Sequence, residues 1–319
     1  MQKELSVIVC TRNRSFHLKE ALDSLVNQSV GTSLNWEIIV IDNASEDDTD
    51  LVVGRAMKST GIDMRYILET KIGLSNARNR GLCESIGDIV AFIDDDAIAD
   101  EKWLEEIMSV YNCENVISAG GKTVALWEIS HQKRVDEELF FFAMGYGPQQ
   151  KDVRTLNGSN MSFRRNVLMG IGGFDANLGR KDKCRLSGDD NDMFDSIHNK
   201  MRRSRIIYNP RAIVYHKVLP DRLTREELIK KHYCTGIGLA VVDRKQQLPC
   251  LIYRLLRRIK KITLLVVILI IRLMSGKDVM YSDLFYKLQG HKGYFKKLIF
   301  GSKVACNKCP IFRNTTYFG

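Results

Sequence analysis

The chain has no apolar run long enough to cross a membrane as a helix. Its longest candidate, Ile262–Ile271, is ten residues and is interrupted by Thr263, whereas a spanning helix needs about 20. No leader-type apolar segment is seen either, because MQKELSVIVC passes directly into a strand pattern. The eight cysteines, at 10, 83, 113, 184, 234, 250, 306 and 309, form no disulfide framework, which points to a reducing compartment. The single Cys-x-x-Cys, Cys306 to Cys309, has only His291 nearby and lacks the further ligands of a zinc site. No internal repeat stands out. Acidic residues are scarce in one region only. Residues 249–319 hold 14 Lys and Arg against 2 Asp and Glu, a net of +12, while residues 1–248 hold 34 against 36, a net of −2. Such a basic end calls for an anionic partner, either lipid headgroups or nucleic acid.

What is present begins with short apolar runs at Leu5–Cys10, Glu37–Ile41, Arg65–Leu68 and Ile89–Ile93. Between the first two, Leu18, Leu22, Leu25 and Val26 recur at helical spacing, with Ser15 placed to cap them. Ser45 with Asp48 three residues on predicts the start of a second helix. A third is predicted over 75–85 and a fourth over 101–111. Strands alternating with helices predict an α/β chain with a parallel, doubly wound sheet. In such sheets ligands bind beyond the carboxyl ends of the strands. The polar groups following the strands, Thr11 to Arg14, Asp42 and Asn43, and Asp94 to Asp96, are therefore expected to converge on one cleft. Further on, RAIVYH predicts a strand ending at His216, and a helix is expected after Thr224.

The stretch DIVAFIDDDAIAD (88–100) runs an apolar strand into three aspartates. Like charges side by side resist burial, so solvent, a cation or several hydroxyls must satisfy them. Mg²⁺ and Mn²⁺ prefer carboxylate oxygens and bridge to phosphate, which suits a nucleotide diphosphate. A calcium loop does not fit, since Ile98 and Ala99 stand where a ligand and a glycine are required. Asp42 suits a nucleoside hydrogen bond or a turn. Arg78, at the start of a helix in GLSNARNRG, suits phosphate or a solvated face. His216 reads as a ligand for the cation or as a structural histidine. The acidic group DDND (189–192) suits a base that takes a proton from an alcohol, and equally a helix start.

In this order, SVIVCTRNR, IVIDNASEDDT, GLSNARNRG, VAFIDDDA, GSNMSFRR, GGFD, SGDDND and VYH resemble the family 2 glycosyltransferases, over roughly residues 4–218. The resemblance implies a GT-A nucleotide-diphospho-sugar fold, an α/β chain with a mostly parallel sheet flanked by helices. Residues 1–100 would form a nucleotide-binding half, 101–248 an acceptor-binding half, and 249–319 a basic, amphipathic C-terminal region. It implies that Thr11, Asn13, Arg14, Asp42, Arg78 and Asp94 bind the nucleotide. Asp94 and Asp96, from the family's Asp-x-Asp motif, and His216 would hold Mn²⁺ or Mg²⁺. Asp190 would be the general base, with Asp189 standing where glutamate is usual. Gly158, Ser159, Asn160 and Asp192 would line the acceptor site.

The expected reaction is inverting, metal-dependent transfer from a nucleotide-diphospho-sugar, UDP-sugar favoured, to a hydroxyl of a glycan or lipid-linked saccharide in polysaccharide synthesis. The Gln-x-x-Arg-Trp motif of processive members is absent, HQKRVD being the nearest stretch, so single-sugar transfer is expected. Two other readings stand beside this one: an inactive membrane-associated binding protein, and a sugar nucleotidyltransferase. The second would need a glycine-rich loop after the first strand, which CTRNRS lacks. The segment 249–275 places Leu251, Leu255, Ile259 and Ile262 on one face and Arg254, Arg257, Arg258 and Lys261 on another. This predicts a cytoplasmic protein held peripherally at an anionic membrane, at the inner face of the cell membrane, with nucleic acid not expected as a partner.

Overall fold

The computed structural model describes residues 3–30, 34–127, 145–181, 186–201, 203–274 and 283–301. These residues fall into two compact units, the first drawn from 1–131, 140–176 and 192–218, the second from 177–191 and 219–319. The sequence pattern places the end of its first domain near 248.

The first unit is built on one sheet. Strands β1 (Leu5–Thr11), β2 (Trp36–Asp42), β3 (Asp63–Leu68), β4 (Ile89–Asp94), β5 (Ala97–Ala99), β6 (Val116–Trp127), β7 (Lys151–Asp152), β8 (Asn160–Arg164) and β9 (Arg205–Val218) lie in the order β3-β2-β1-β4-β8-β6-β9-β5, with β7 on β9. The half β3-β2-β1-β4 is parallel throughout. β8 runs antiparallel to β4 and β6, and β5 antiparallel to β9, while β6 and β9 are parallel.

Alternate side chains of β1 serve opposite faces, as the period of a strand requires. Leu5, Val7 and Val9 pack with Leu18, Leu22 and Leu25 of α1 (Ser15–Val26). Ile8, on the other face, packs with Ala77 and Leu82 of α3 (Leu74–Glu84). Burial on both faces explains why these strands read as unbroken apolar runs.

Several element boundaries differ from the sequence pattern. α2 is Thr49–Ser59, with Asp48 at its N-cap, three residues later than a Ser45 cap suggests. The Ser45 hydroxyl instead accepts the Asn13 backbone N–H at 2.9 Å. α4 is confined to Trp103–Met108. Residues 131–136, with HQKRVD, and Cys306 and Cys309 lie outside the described residues.

The second unit contains α7 (Arg225–Arg244), α8 (Leu248–Met274) and α9 (Asp283–Phe300). Thr224 caps α7 by accepting from the Glu227 backbone, the arrangement a Thr-x-x-Glu start specifies. α7 and α9 approach so closely at Gly236 that a Cβ there would overlap the Gly290 carbonyl oxygen. Asp243 of α7 is buried and accepts from Arg254 (2.7 Å), Arg258 (3.4 Å) and Tyr294 (2.8 Å).

This buried acid corrects the expected basic face of α8. Arg254 and Arg258 turn inward to it, because a carboxylate out of water needs cationic partners. Leu251, Leu255 and Ile262 are half-buried. The outward surface is a stripe of Ile252, Leu256, Ile259, Val266, Val267 and Ile270, with Arg257, Lys260 and Lys261 also exposed. No described helix is long and apolar enough to cross a membrane.

Candidate active site

The first unit gathers its polar side chains where β1, β2 and β4 end. Asp94 is the last residue of β4, Asp95 and Asp96 form a tight turn, and β5 starts at Ala97. The turn is pinned by the Lys217 backbone N–H, which donates to the Asp96 carbonyl at 2.9 Å. Pairing of Ala97 with His216 brings the end of β9 alongside. The His216 Nε2 then lies 3.3 Å from an Asp96 carboxylate oxygen and 3.5 Å from one of Asp94. The three ligand atoms fall within 4.8 Å of one another.

This donor set fits a hard divalent cation. Two carboxylates supply oxygen, and an imidazole is a common additional ligand. His216 Nδ1 is 3.0 Å from the Lys217 carbonyl oxygen. A carbonyl only accepts, so Nδ1 donates to it, and Nε2 faces the two acids. A hydrogen bond to the backbone is the usual device for orienting a ligating histidine.

Arg14 closes the other side. Its Nη1 donates to Asp95 at 3.0 Å and to Asp96 at 2.8 Å. Burial pulls the Arg14 pKa down, but Asp95 and Asp96 outweigh it and raise it overall. Asp95 is pushed above the ordinary carboxylate range by burial, against the pull of Arg14. For Asp94 burial acts upward, yet His216 and Arg78 hold the group below the usual range. Neighbouring cationic groups and burial thus give three adjacent aspartates distinct environments.

The remaining expected residues take these places. The Thr11 hydroxyl donates to Asp95 at 2.8 Å and is buried. Asn13, with φ of 53°, accepts from the Glu46 backbone at 2.7 Å, so it ties the loop after β1 to the loop after β2. Asp42 accepts from the Tyr66 hydroxyl at 2.6 Å and the Ser45 backbone at 2.8 Å. Burial and the Asp42 charge together raise the Tyr66 pKa. Arg78 sits over the Phe174 ring at 5.3 Å, donates to the Gly158 carbonyl at 3.0 Å and lies 3.7 Å from Asp94.

Ser159 is buried and bonds to Asn157. The Asn160 side chain is taken up by the Trp103 indole and the carbonyls of Lys122 and Ala212. That commits it to joining β6, β8 and β9. After α5 (Arg165–Ile171), α6 (Asp189–Lys200) begins with Asp189, Asp190, Asn191 and Asp192. Asp190 accepts from the Asn191 backbone and side chain. Asp192 belongs to the first unit, and Asp189 and Asp190 to the second.

The sequence pattern gives no separate role to Asp95 or Arg12, although both lie in the stretches expected at the cleft, and it passes over Tyr66. Asp95 is the anchor shared by Thr11 and Arg14. Arg12 bonds the carbonyls of Asn43 and Ala44. Tyr66 reaches Asp42 because β3 flanks β2, a sheet order that one strand's pattern does not reveal.

A family model described as Glycosyl transferase family 2 matches residues 6–172. A glucosyl-dolichyl phosphate glucuronosyltransferase of Haloferax volcanii is 29% identical over 249 residues, which is 75% of this chain and 77% of that protein. A GalNAc(5)-diNAcBac-PP-undecaprenol beta-1,3-glucosyltransferase of Campylobacter jejuni is 40% identical over 95 residues, 29% of each chain. Among solved structures, the mannosyltransferase PcManGT from Pyrobaculum calidifontis, in complex with GDP-Man and Mn²⁺, superposes with a TM-score of 0.62 at 18% identity. It covers 92% of this chain and 88% of its own, a likeness of fold.

Proposed function

Because the chain belongs to glycosyltransferase family 2, we propose that it transfers one sugar per binding event, with inversion, from a UDP-sugar to a hydroxyl of a lipid-linked saccharide. The observation that carries this reading is the convergence of Asp94, Asp96 and His216 at the end of β4. A carboxylate pair backed by an imidazole suits the diphosphate of a sugar nucleotide, neutralised through a divalent cation. When bound, Mn²⁺ or Mg²⁺ would offset the charge that develops on the leaving diphosphate.

The chain's own residues do the remainder. Asp94, Asp96 and His216 would hold the cation. Arg14, fixed on Asp95 and Asp96, keeps the Asp96 carboxylate oriented. Asp42, steadied by Tyr66, would bind the ribose or base. Thr11 and Asn13 shape the loops around the nucleotide, and Arg78 offers positive charge beside Asp94. Asp190 would take the proton of the acceptor hydroxyl as its oxygen bonds to the anomeric carbon. The bond from that carbon to the diphosphate oxygen breaks in the same displacement, which inverts configuration without a covalent enzyme intermediate. Asp189, Asp192, Gly158 and Ser159 would shape the acceptor side.

The lipid-linked acceptor is supported by the names of two relatives, which refer to dolichyl phosphate and undecaprenol. It is also supported by the outward apolar stripe of α8 with its exposed Arg257, Lys260 and Lys261. Such a face suits a peripheral hold on an anionic membrane.

Asp190→Asn tests the base. Metal-dependent nucleotide binding should persist while transfer falls by about 10² to 10⁴. Transfer within about threefold of wild type would remove Asp190 from that role.

A further inference from the structure

Asp189 and Asp190 follow a loop that rests on α7. Residues 177–191 and α7 belong to the same unit. Just before the two acids, Leu186, Ser187 and Gly188 run along the helix. The Ser187 hydroxyl donates to the Thr235 hydroxyl at 3.1 Å. Leu186 packs with Ile237 and Val242. Gly188 has φ of 110°, and a Cβ there would meet the Gly238 carbonyl carbon at 3.3 Å and a Val242 methyl at 3.4 Å. Thr235, Gly238 and Val242 are spaced i, i+3 and i+7, which places them on one stripe of α7.

The middle of that stripe has no side chain. A Cβ built on Gly238 would overlap the Ser187 carbonyl oxygen and stand 2.8 Å from the Ser187 carbonyl carbon. Carbon atoms in ordinary contact are about 3.5–4.0 Å apart, so an alanine here would push the loop off by about 1 Å. Glycine is a poor residue for a helix interior, and the seat it makes for Ser187 accounts for its place. A shift of that size is small for packing and large for chemistry. Misplacing a reacting group by about 1 Å can cost about 10²-fold in rate.

We infer that Gly238 and Thr235 are positioning residues for the reaction: α7 holds residues 186–188 at the height that presents Asp190 to the acceptor hydroxyl. The inference rests on Asp190 being the base, as proposed above. Gly238 acts by letting the Ser187 backbone approach, and Thr235 by holding the Ser187 hydroxyl. Donor binding lies outside their reach.

The test is turnover of the full chain with Mn²⁺, read as UDP release from UDP-glucose, UDP-glucuronate and UDP-N-acetylglucosamine. The acceptor is an undecaprenyl diphosphate-linked sugar or water. Gly238→Ala should lower kcat by about 10²-fold, with the donor KM and the Mn²⁺-dependent thermal shift with UDP within about threefold of wild type and intact, respectively. Thr235→Val should lower kcat several-fold and Thr235→Ser should restore it. Ser187→Ala combined with Thr235→Val should be no worse than either alone, because the two hydroxyls make one contact. If Gly238→Ala does not fold, the Thr235 and Ser187 variants carry the test. Gly293→Ala is the control for general loosening, since its Cβ would overlap the Tyr233 carbonyl oxygen of α7 instead of the loop. Its kcat should stay within about twofold of wild type below its own Tm.

Unchanged kcat in Gly238→Ala and Thr235→Val, or an equal fall in Gly293→Ala, would overturn the inference. Asp190→Asn in the same assay separates the two readings. If it loses transfer while Gly238→Ala and Thr235→Val keep theirs, the positioning inference alone fails. If Asp190→Asn keeps transfer, the base reading falls and the inference with it. A wild type that binds UDP and releases none from any of these donors would remove the transfer reading and both of these together.

Discussion

Asp95, the middle aspartate, explains how the triple-acid turn can be buried. It accepts from Thr11 and Arg14, so its charge is shared with a hydroxyl and a guanidinium, while Asp94 and Asp96 are left facing His216. Removing one partner of a buried charge pair leaves the other uncompensated, at a cost of about 3–5 kcal/mol. Arg14→Ala should therefore lower the urea-derived stability by about 3 kcal/mol, toward the low end of that range because the arginine is partly exposed. Adding Asp95→Asn should recover part of the loss, since it removes one of the stranded charges. A single-mutant loss under about 1 kcal/mol would mean that solvent already screens the pair and that Arg14 does not organise the turn.

Elements whose pattern is local were legible in the sequence. β1, β2 and β4 show as apolar runs because both of their faces are buried, and α1 shows by its apolar spacing. What the pattern concealed depends on chain-distant partners. The antiparallel position of β8 between β4 and β6 is settled by pairing across the fold, and so is the use of Asn160 as a joint among strands. α2 starts late because the Ser45 hydroxyl bonds the Asn13 backbone. The orientation of α8 was hidden for a similar reason. One acid on α7, Asp243, draws Arg254 and Arg258 inward and leaves the apolar stripe outside.

That stripe makes its own prediction. Wild type should co-sediment with vesicles containing anionic lipid, more weakly at high salt because exposed charges are screened. Leu256→Glu with Ile259→Glu should release it. Undiminished sedimentation of the double variant would rule out α8 as the contact.

At the scale of the whole molecule, the charge division in the sequence accompanies a division of labour. Residues 1–248 are near neutral, at −2, and include the cluster of Asp94, Asp96 and His216. Residues 249–319, at +12, include the helix with the outward apolar face. Of the site, Asp94, Asp96 and His216 were legible as candidates because strand-end acids and a strand-end histidine imply chemistry. Their convergence required β5 and β9 to pair. The central claim is that these three residues form a divalent-cation site for a sugar nucleotide. The most direct measurement is a thermal-shift panel of UDP, GDP, CDP, dTDP and ADP, each with and without Mn²⁺, on wild type and Asp96→Ala. A ligand at about 100 times its Kd should stabilise the fold by about 2.7 kcal/mol. The account predicts a Mn²⁺-dependent rise in Tm with UDP that disappears in Asp96→Ala. A rise that is independent of metal, or equal in the two proteins, would contradict it.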